Sequence, residues 1–181
     1  DVLVAKVNQH LAEAAQITGV AMGVGSQRVM LEDTKAQASF DLRRYAPDAL
    51  LFANMGAIQL NNGMASAQLQ QAIDVLSADA IFLHLNPLQE AVQPEGDTNF
   101  ANLAQAIGRA QAELEVPIVL KEVGSGLSVA DIELGLRHGI RWFDVAGRGG
   151  TSWARIEQQR REDNHTLGFT LQDWGLSLIH I

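Results

Sequence analysis

The chain has 181 residues, 47% hydrophobic and 19% charged, an ordinary globular composition whose length allows a single core, or part of a larger one, but hardly two full domains. Its formal net charge of -8 argues against general binding to nucleic acid or anionic membranes, whose phosphates attract clustered Lys and Arg. The absence of cysteine excludes disulfides and thiolate metal sites, and no apolar run approaches the roughly 20 residues that span a bilayer. The opening Asp1-Val2-Leu3-Val4 lacks the charged-then-apolar pattern of a signal peptide, so a cytoplasmic location is expected.

In chain order, helical and strand patterns alternate. Leu3 to Ile17 is spaced as a helix, and Val20 to Gly25 is a short glycine-rich apolar run followed by Ser26-Gln27-Arg28. Leu31 to Tyr45 reads as a second helix ended by Pro47, and Leu50 to Met55 as a strand. Ser66 to Leu76 is helical, Ala80 to Asn86 is a strand, and Pro87 to Asn99 reads as a polar loop. Phe100 to Leu114 is again helical, and Pro117 to Val123 is a strand that ends in Gly124-Ser125-Gly126. Ser128 suits the N-cap of a helix running to His138. Ile140 to Ala146 is the last strand, Gly147 to Ser152 a glycine-rich loop, and Trp153 to Glu162 a charged helix.

About five strand–loop–helix units in a row imply a parallel sheet, either open and doubly wound or closed as a (β/α)₈ barrel. In both, ligands bind at the C-terminal strand ends, where polar residues accumulate in this chain. Alternation puts Phe82, His84 and Asn86 on one face of their strand, with His84 and Asn86 near its top. Gln89, Glu90, Glu95 and Asp97 follow in one stretch, as a solvated loop or as a Mg²⁺ site shared with substrate phosphates. Lys121 sits mid-strand between Val119 and Val123 and should meet an anion, a carboxylate or an electron-rich cofactor. Asp144 on the neighbouring strand is a structural partner of the right charge. The strings around Gly23 and Gly149 would let backbone N–H groups approach a phosphate, and Ser26 and Arg28 strengthen the first as an anion site.

These residues resemble the type 2 isopentenyl-diphosphate isomerases. The matching stretches are Ala21 to Arg28, Phe52-Ala53-Asn54-Met55-Gly56, His84 to Glu90, Gln93 to Asp97, Lys121-Glu122-Val123-Gly124 and Gly149 to Trp153. The resemblance runs to Asp173-Trp174-Gly175, and the string around His84 is its most specific part. It implies a (β/α)₈ barrel that binds FMN and Mg²⁺ and interconverts isopentenyl and dimethylallyl diphosphate in isoprenoid synthesis. It also implies that the flavin must be reduced, usually by NADPH, although the isomerisation has no net redox change.

Carried over by motif, the resemblance implies that Ser26, Arg28, His84, Asn86 and Gln89 contact substrate. Gln89 and His84 are the catalytic candidates, with Gln89 close to the reacting carbons. It implies flavin contacts from Ser26, Asn54, Lys121, Thr151 and Ser152, and a Mg²⁺ ligand in Glu90. The partner is a small diphosphate, with neither nucleic acid nor membrane, and the full-length protein is expected to be a homo-oligomer.

Two parts of the family pattern are missing: an earlier strand with a basic N-terminal segment, and later loops that hold the FMN phosphate. The expectation is therefore an incomplete barrel of about five units over residues 1–175, followed by an apolar tail, 176–181, that leaves the pattern. Two alternatives stand beside it. One is another FMN barrel enzyme of the 2-hydroxy-acid oxidase type, which leaves the stretch from His84 to Asp97 without a task. The other is an inactive fragment, poorly stable because its edge strands are exposed.

Overall fold

A computed structural model describes residues 2–176. Helix α1 (Val2–Thr18) leads into strand β1 (Met22–Gly23), helix α2 (Arg28–Glu32) and a 3₁₀ segment (Thr34–Ser39). Strand β2 (Leu51–Gly56), a 3₁₀ turn (Ala57–Leu60), helix α3 (Ser66–Leu76) and strand β3 (Ala80–Leu85) follow. Then come helices α4 (Pro87–Val92) and α5 (Leu103–Glu113), strand β4 (Ile118–Glu122) and helix α6 (Val129–Arg137). Strand β5 (Trp142–Phe143) and helices α7 (Trp153–Arg160) and α8 (Leu167–Thr170) complete the order.

All four strand pairings are parallel and run in chain order, β1-β2-β3-β4-β5. One open alternative is set aside here and one expectation is corrected. Among the described residues the strand order never reverses, so the sheet is not doubly wound. Nor is the fold the expected incomplete (β/α)₈ barrel of about five units: among the described residues no ladder joins β5 to β1, and the strands form an open sheet instead of a barrel wall. The molecule is a small α/β domain built on an open five-stranded parallel sheet. The βα periodicity is local and is the same in either architecture, so it carries no information on closure.

Alternation along the strands builds the core. Leu51, Ala53 and Met55 of β2, Ile81 and Leu83 of β3, and Ile118 and Leu120 of β4 are buried on one face. Against them lie Leu69, Ala72, Ile73 and Leu76 of α3 with Leu103, Ile107 and Ala110 of α5. Crossovers between parallel strands are right-handed as a rule, and where strand order does not reverse this places successive connections on one side, the side on which α3 and α5 pack. The other face carries Phe52, Asn54, Phe82, His84, Val119 and Lys121, all half-buried, and an exposed Trp142.

Local chemistry explains where elements begin and end. The Ser128 hydroxyl accepts the Asp131 amide at 3.2 Å, while the Asp131 carboxylate accepts the Ser128 amide at 2.9 Å, so α6 starts on the expected cap. The expected helix from Leu31 to Tyr45 is broken. Asp33 turns its carboxylate onto the Lys35 amide at 2.9 Å and caps the 3₁₀ segment instead. Helix α4 occupies part of the expected loop, with Pro87 in its first turn, where the lost N–H has no helical partner to forfeit. Of the apolar tail, Leu176 packs by backbone hydrogen bonds to Ser125 and Arg148, and the rest lies outside the described residues.

Candidate functional site

Strand register brings the sequence-predicted residues to the sheet's open face and its C-terminal edge. Asn54 pairs with Phe82 and then Val119, and one step further on Gly56 pairs with His84 and then Lys121. Directly paired residues share a face, so His84 and Lys121 stand side by side. Phe52 and Phe82 stack with centroids 4.9 Å apart, and the Lys121 ammonium lies 5.9 Å from the Phe82 ring centre, within cation–π reach. Lys121 Nζ donates to the Glu122 carbonyl at 3.0 Å. The Asp144 carboxylate, the suggested partner, accepts the Ala146 amide at 2.8 Å, and among the described residues it forms no ion pair with Lys121.

His84 is the electrostatic centre of this face. Burial, helped by the neighbouring Lys121 charge, lowers its pKa to about 4, so the ring is neutral at pH 7. Its Nδ1 lies 2.8 Å from Asn54 Oδ1. Asn54 Nδ2 donates to the Val24 carbonyl at 2.9 Å, so Oδ1 is an acceptor and Nδ1 carries the imidazole proton. Nε2 is then left as a bare acceptor. Gly56 keeps the space beside it open, since a Cβ there would lie 3.2 Å from Nε2.

The end of β3 and the start of α4 form the next part. Asn86 Nδ2 donates to Glu90 Oε1 at 2.7 Å, and Glu90 Oε2 accepts the Asp97 amide at 2.7 Å. Asn86 Oδ1 is buried without a partner. The acidic residues of this stretch do not converge. Glu95 reaches Arg160, Asp97 accepts from Asn62, and no group of three or more His, Cys, Asp or Glu among the described residues is placed to hold a metal. Gln89 Nε2 donates to Glu157 of α7 at 2.8 Å, and Glu157, 2% exposed, also pairs with Arg160 at 2.6 Å.

A cavity of about 190 Å³ lies between α4 and the loop after β5, lined by Gln89, Glu122, Ser125, Arg148, Thr151 and Ser152. Ser152 caps α7 by accepting the Arg155 amide at 3.3 Å. Glu122 holds one wall in place by accepting the Gly124 amide at 2.6 Å and the Ser125 amide. At the far edge, Ser26 and Arg28 are exposed beyond β1, and Arg28 is paired with Glu32 at 3.0 Å. The structure thus unites Asn54, His84 and Lys121 on one face and Asn86, Gln89 and Glu90 at one strand end. Thr151 and Ser152 meet Gln89 across the cavity. Two site residues escaped the sequence reading, Gln27 and Glu157. The buried helical neighbours Ala154 and Gln158 mark the inner face of α7 on which Glu157 lies; Gln27 gave no such signal.

Fold and site together define an open parallel α/β domain whose polar residues gather at one edge of the sheet. No family model matches the chain. Among curated proteins it is 60% identical over 173 residues to an isopentenyl-diphosphate delta-isomerase of Hydrogenovibrio crunogenus, covering 94% of this chain and 50% of that protein. It is 57% identical over 175 residues to a protein of the same name from Paracoccus zeaxanthinifaciens, covering 96% and 50%. A third relative of that name, from a Synechococcus species, is 52% identical over 173 residues, covering 94% and 50%. The chain spans about half the length of the curated relatives it matches.

Proposed function

We propose that this chain is part of an isopentenyl-diphosphate delta-isomerase of the FMN-dependent type. The observation that carries the reading is the 60% identity over 94% of the chain, which leaves too few residues uncovered to miss the stretch from Ser26 to Ser152. The reaction moves a double bond by adding a proton to the alkene carbon and removing one from its allylic neighbour. Ser26, Arg28, His84 and Asn86 bind the diphosphate, and Gln89, steadied by Glu157, orients the hydrocarbon end.

The residues present suit the proposed cofactors. A Cβ at Gly25, Gly149 or Gly150 would meet nothing within 4 Å, and none of the three has positive φ. Neither packing nor backbone conformation calls for glycine there, whereas close approach of a phosphate or ring does. Lys121 beside Phe82 is a cation on a half-buried face, where it favours an anionic ring system. Reduced FMN, generated with NADPH, supplies the proton traffic when bound, with Asn54, Lys121, Ser26, Thr151 and Ser152 holding it. Glu90 and the unpartnered Asn86 Oδ1 offer hard oxygen ligands, which Mg²⁺ combines with substrate phosphate and water. The exposed aliphatic row Val4, Val7 and Leu11 on α1 supports a homo-oligomer for the full-length protein, and a cytoplasmic setting fits this reading.

The test is conversion of isopentenyl to dimethylallyl diphosphate with FMN, Mg²⁺ and NADPH. It compares this chain, a version extended to the length of its relatives, and Lys121→Ala in each. Turnover in the extended protein that falls at least about 100-fold in the variant is the expected result. Absence of turnover in both forms would overturn the proposal.

A further inference from the structure

Gln27 lies between two exposed residues, Ser26 and Arg28, yet is itself 0% exposed. A wholly buried amide is costly unless both its ends are paired. Both are. Gln27 Oε1 accepts the Asn54 amide N–H at 3.0 Å, and Nε2 donates to the Ala72 carbonyl of α3 at 2.9 Å. A backbone donor at one end and a backbone acceptor at the other leave the amide a single satisfactory orientation. The Gln27 N–H also donates to the Asn54 carbonyl at 2.9 Å, so this residue grips Asn54 by both its backbone groups. The Asn54 side chain in turn ties Val24 to the His84 ring.

We infer that Gln27 is a positioning residue for a diphosphate ligand, setting Ser26 and Arg28 on one side and, through Asn54, the His84 ring on the other. The inference rests on the reading of Ser26, Arg28 and His84 as diphosphate contacts. Volume alone would be filled as well by an unbranched apolar side chain. The amide adds hydrogen bonds that join the loop after β1, strand β2 and helix α3 into one unit. A site held in this way loses less freedom on binding and binds more tightly.

The test uses the full chain labelled with ¹⁵N, inorganic pyrophosphate as probe, and Gln27→Met, which keeps the length and loses the amide. Pyrophosphate affinity and the ring ¹⁵N shifts of His84 are read on both proteins. Affinity should fall about tenfold, the effect of roughly one lost hydrogen bond, and the His84 Nδ1 signal should move away from its hydrogen-bonded position. A variant with a lower urea midpoint but unchanged pyrophosphate affinity and an unchanged His84 ring would make Gln27 a core residue only and overturn the inference. Failure of the unmodified chain to bind pyrophosphate would count against the functional reading. The His84 ring would then decide alone: a shifted signal sustains the positioning role, and an unshifted one overturns it. Should Gln27→Met not fold, Gln27→Asn is read by the same criteria, since its shorter amide cannot span Asn54 and Ala72.

Discussion

His84 is neutral at pH 7 with its proton on Nδ1, so Nε2 has nothing to donate to a phosphate oxygen until a second proton arrives. Pyrophosphate binding at pH 7 should therefore take up more protons in the unmodified chain than in His84→Asn, measured by calorimetry in two buffers of different ionisation enthalpy. The same shift governs stability. Between the ordinary pKa of 6.5 and the folded value of about 4, the unfolded chain binds a proton that the native ring refuses. Native stability should fall as pH drops through that window, by up to about 3 kcal/mol, and His84→Asn should lack this component in urea melts. Gly96 makes a different demand. A Cβ there would stand 1.9 Å from the Glu90 carbonyl oxygen, a backbone atom that has little freedom to yield. Gly96→Ala should cost about 1–3 kcal/mol and free Glu90 from the Asp97 amide, seen as faster exchange of that amide.

Among elements, the segment between α2 and β2 shows how a helical pattern is diverted. Arg43, read from the sequence as part of a helix, instead staples the end of the sheet opposite the candidate site. Its guanidinium donates to the carbonyls of Ala46, Ala49 and Ser77 and to the Asp79 carboxylate at 2.7 Å. Asp79 also accepts the Leu51 amide at 2.8 Å. Burial pushes the Asp79 pKa upward, but the Leu51 amide and Arg43 outweigh it and hold the carboxyl below its ordinary value. Arg43→Ala should lower stability by about 2–3 kcal/mol in urea melts. Arg43→Lys should recover only a small part, because an ammonium lacks the planar fork that reaches several carbonyls at once. Helix α6, by contrast, follows directly from its own residues, since the Ser128 and Asp131 cap needs no partner outside the segment.

At the scale of the whole molecule, the sheet has one covered face and one half-open face. The edge strands β1 and β5 are two residues each, which blunts edge-to-edge pairing. Weakness is expected instead from the open face, where Trp142 is 61% exposed beside half-buried Phe82 and Val119. The isolated chain should unfold with less than about 5 kcal/mol, below the usual range for a domain of this size, as urea titration would measure. A larger value with a monomeric elution profile would show that the covered face suffices.

The parallel alternation, the alternating faces of β3, the α6 cap and the strand-end position of His84 and Asn86 were all legible in the residues. Each depends on periodicity or on side chains within one turn of one another, interactions that a linear sequence displays directly. Sheet closure, the break in the 31–45 segment, the scattering of Glu90, Glu95 and Asp97, and the roles of Gln27, Arg43 and Glu157 were decided by the tertiary structure. The reason is physical. Gln27 to Ala72, Arg43 to Asp79 and Gln89 to Glu157 are contacts between residues 45, 36 and 68 positions apart. Such a bond exists only after packing has brought its two ends together, and no local preference announces it beforehand.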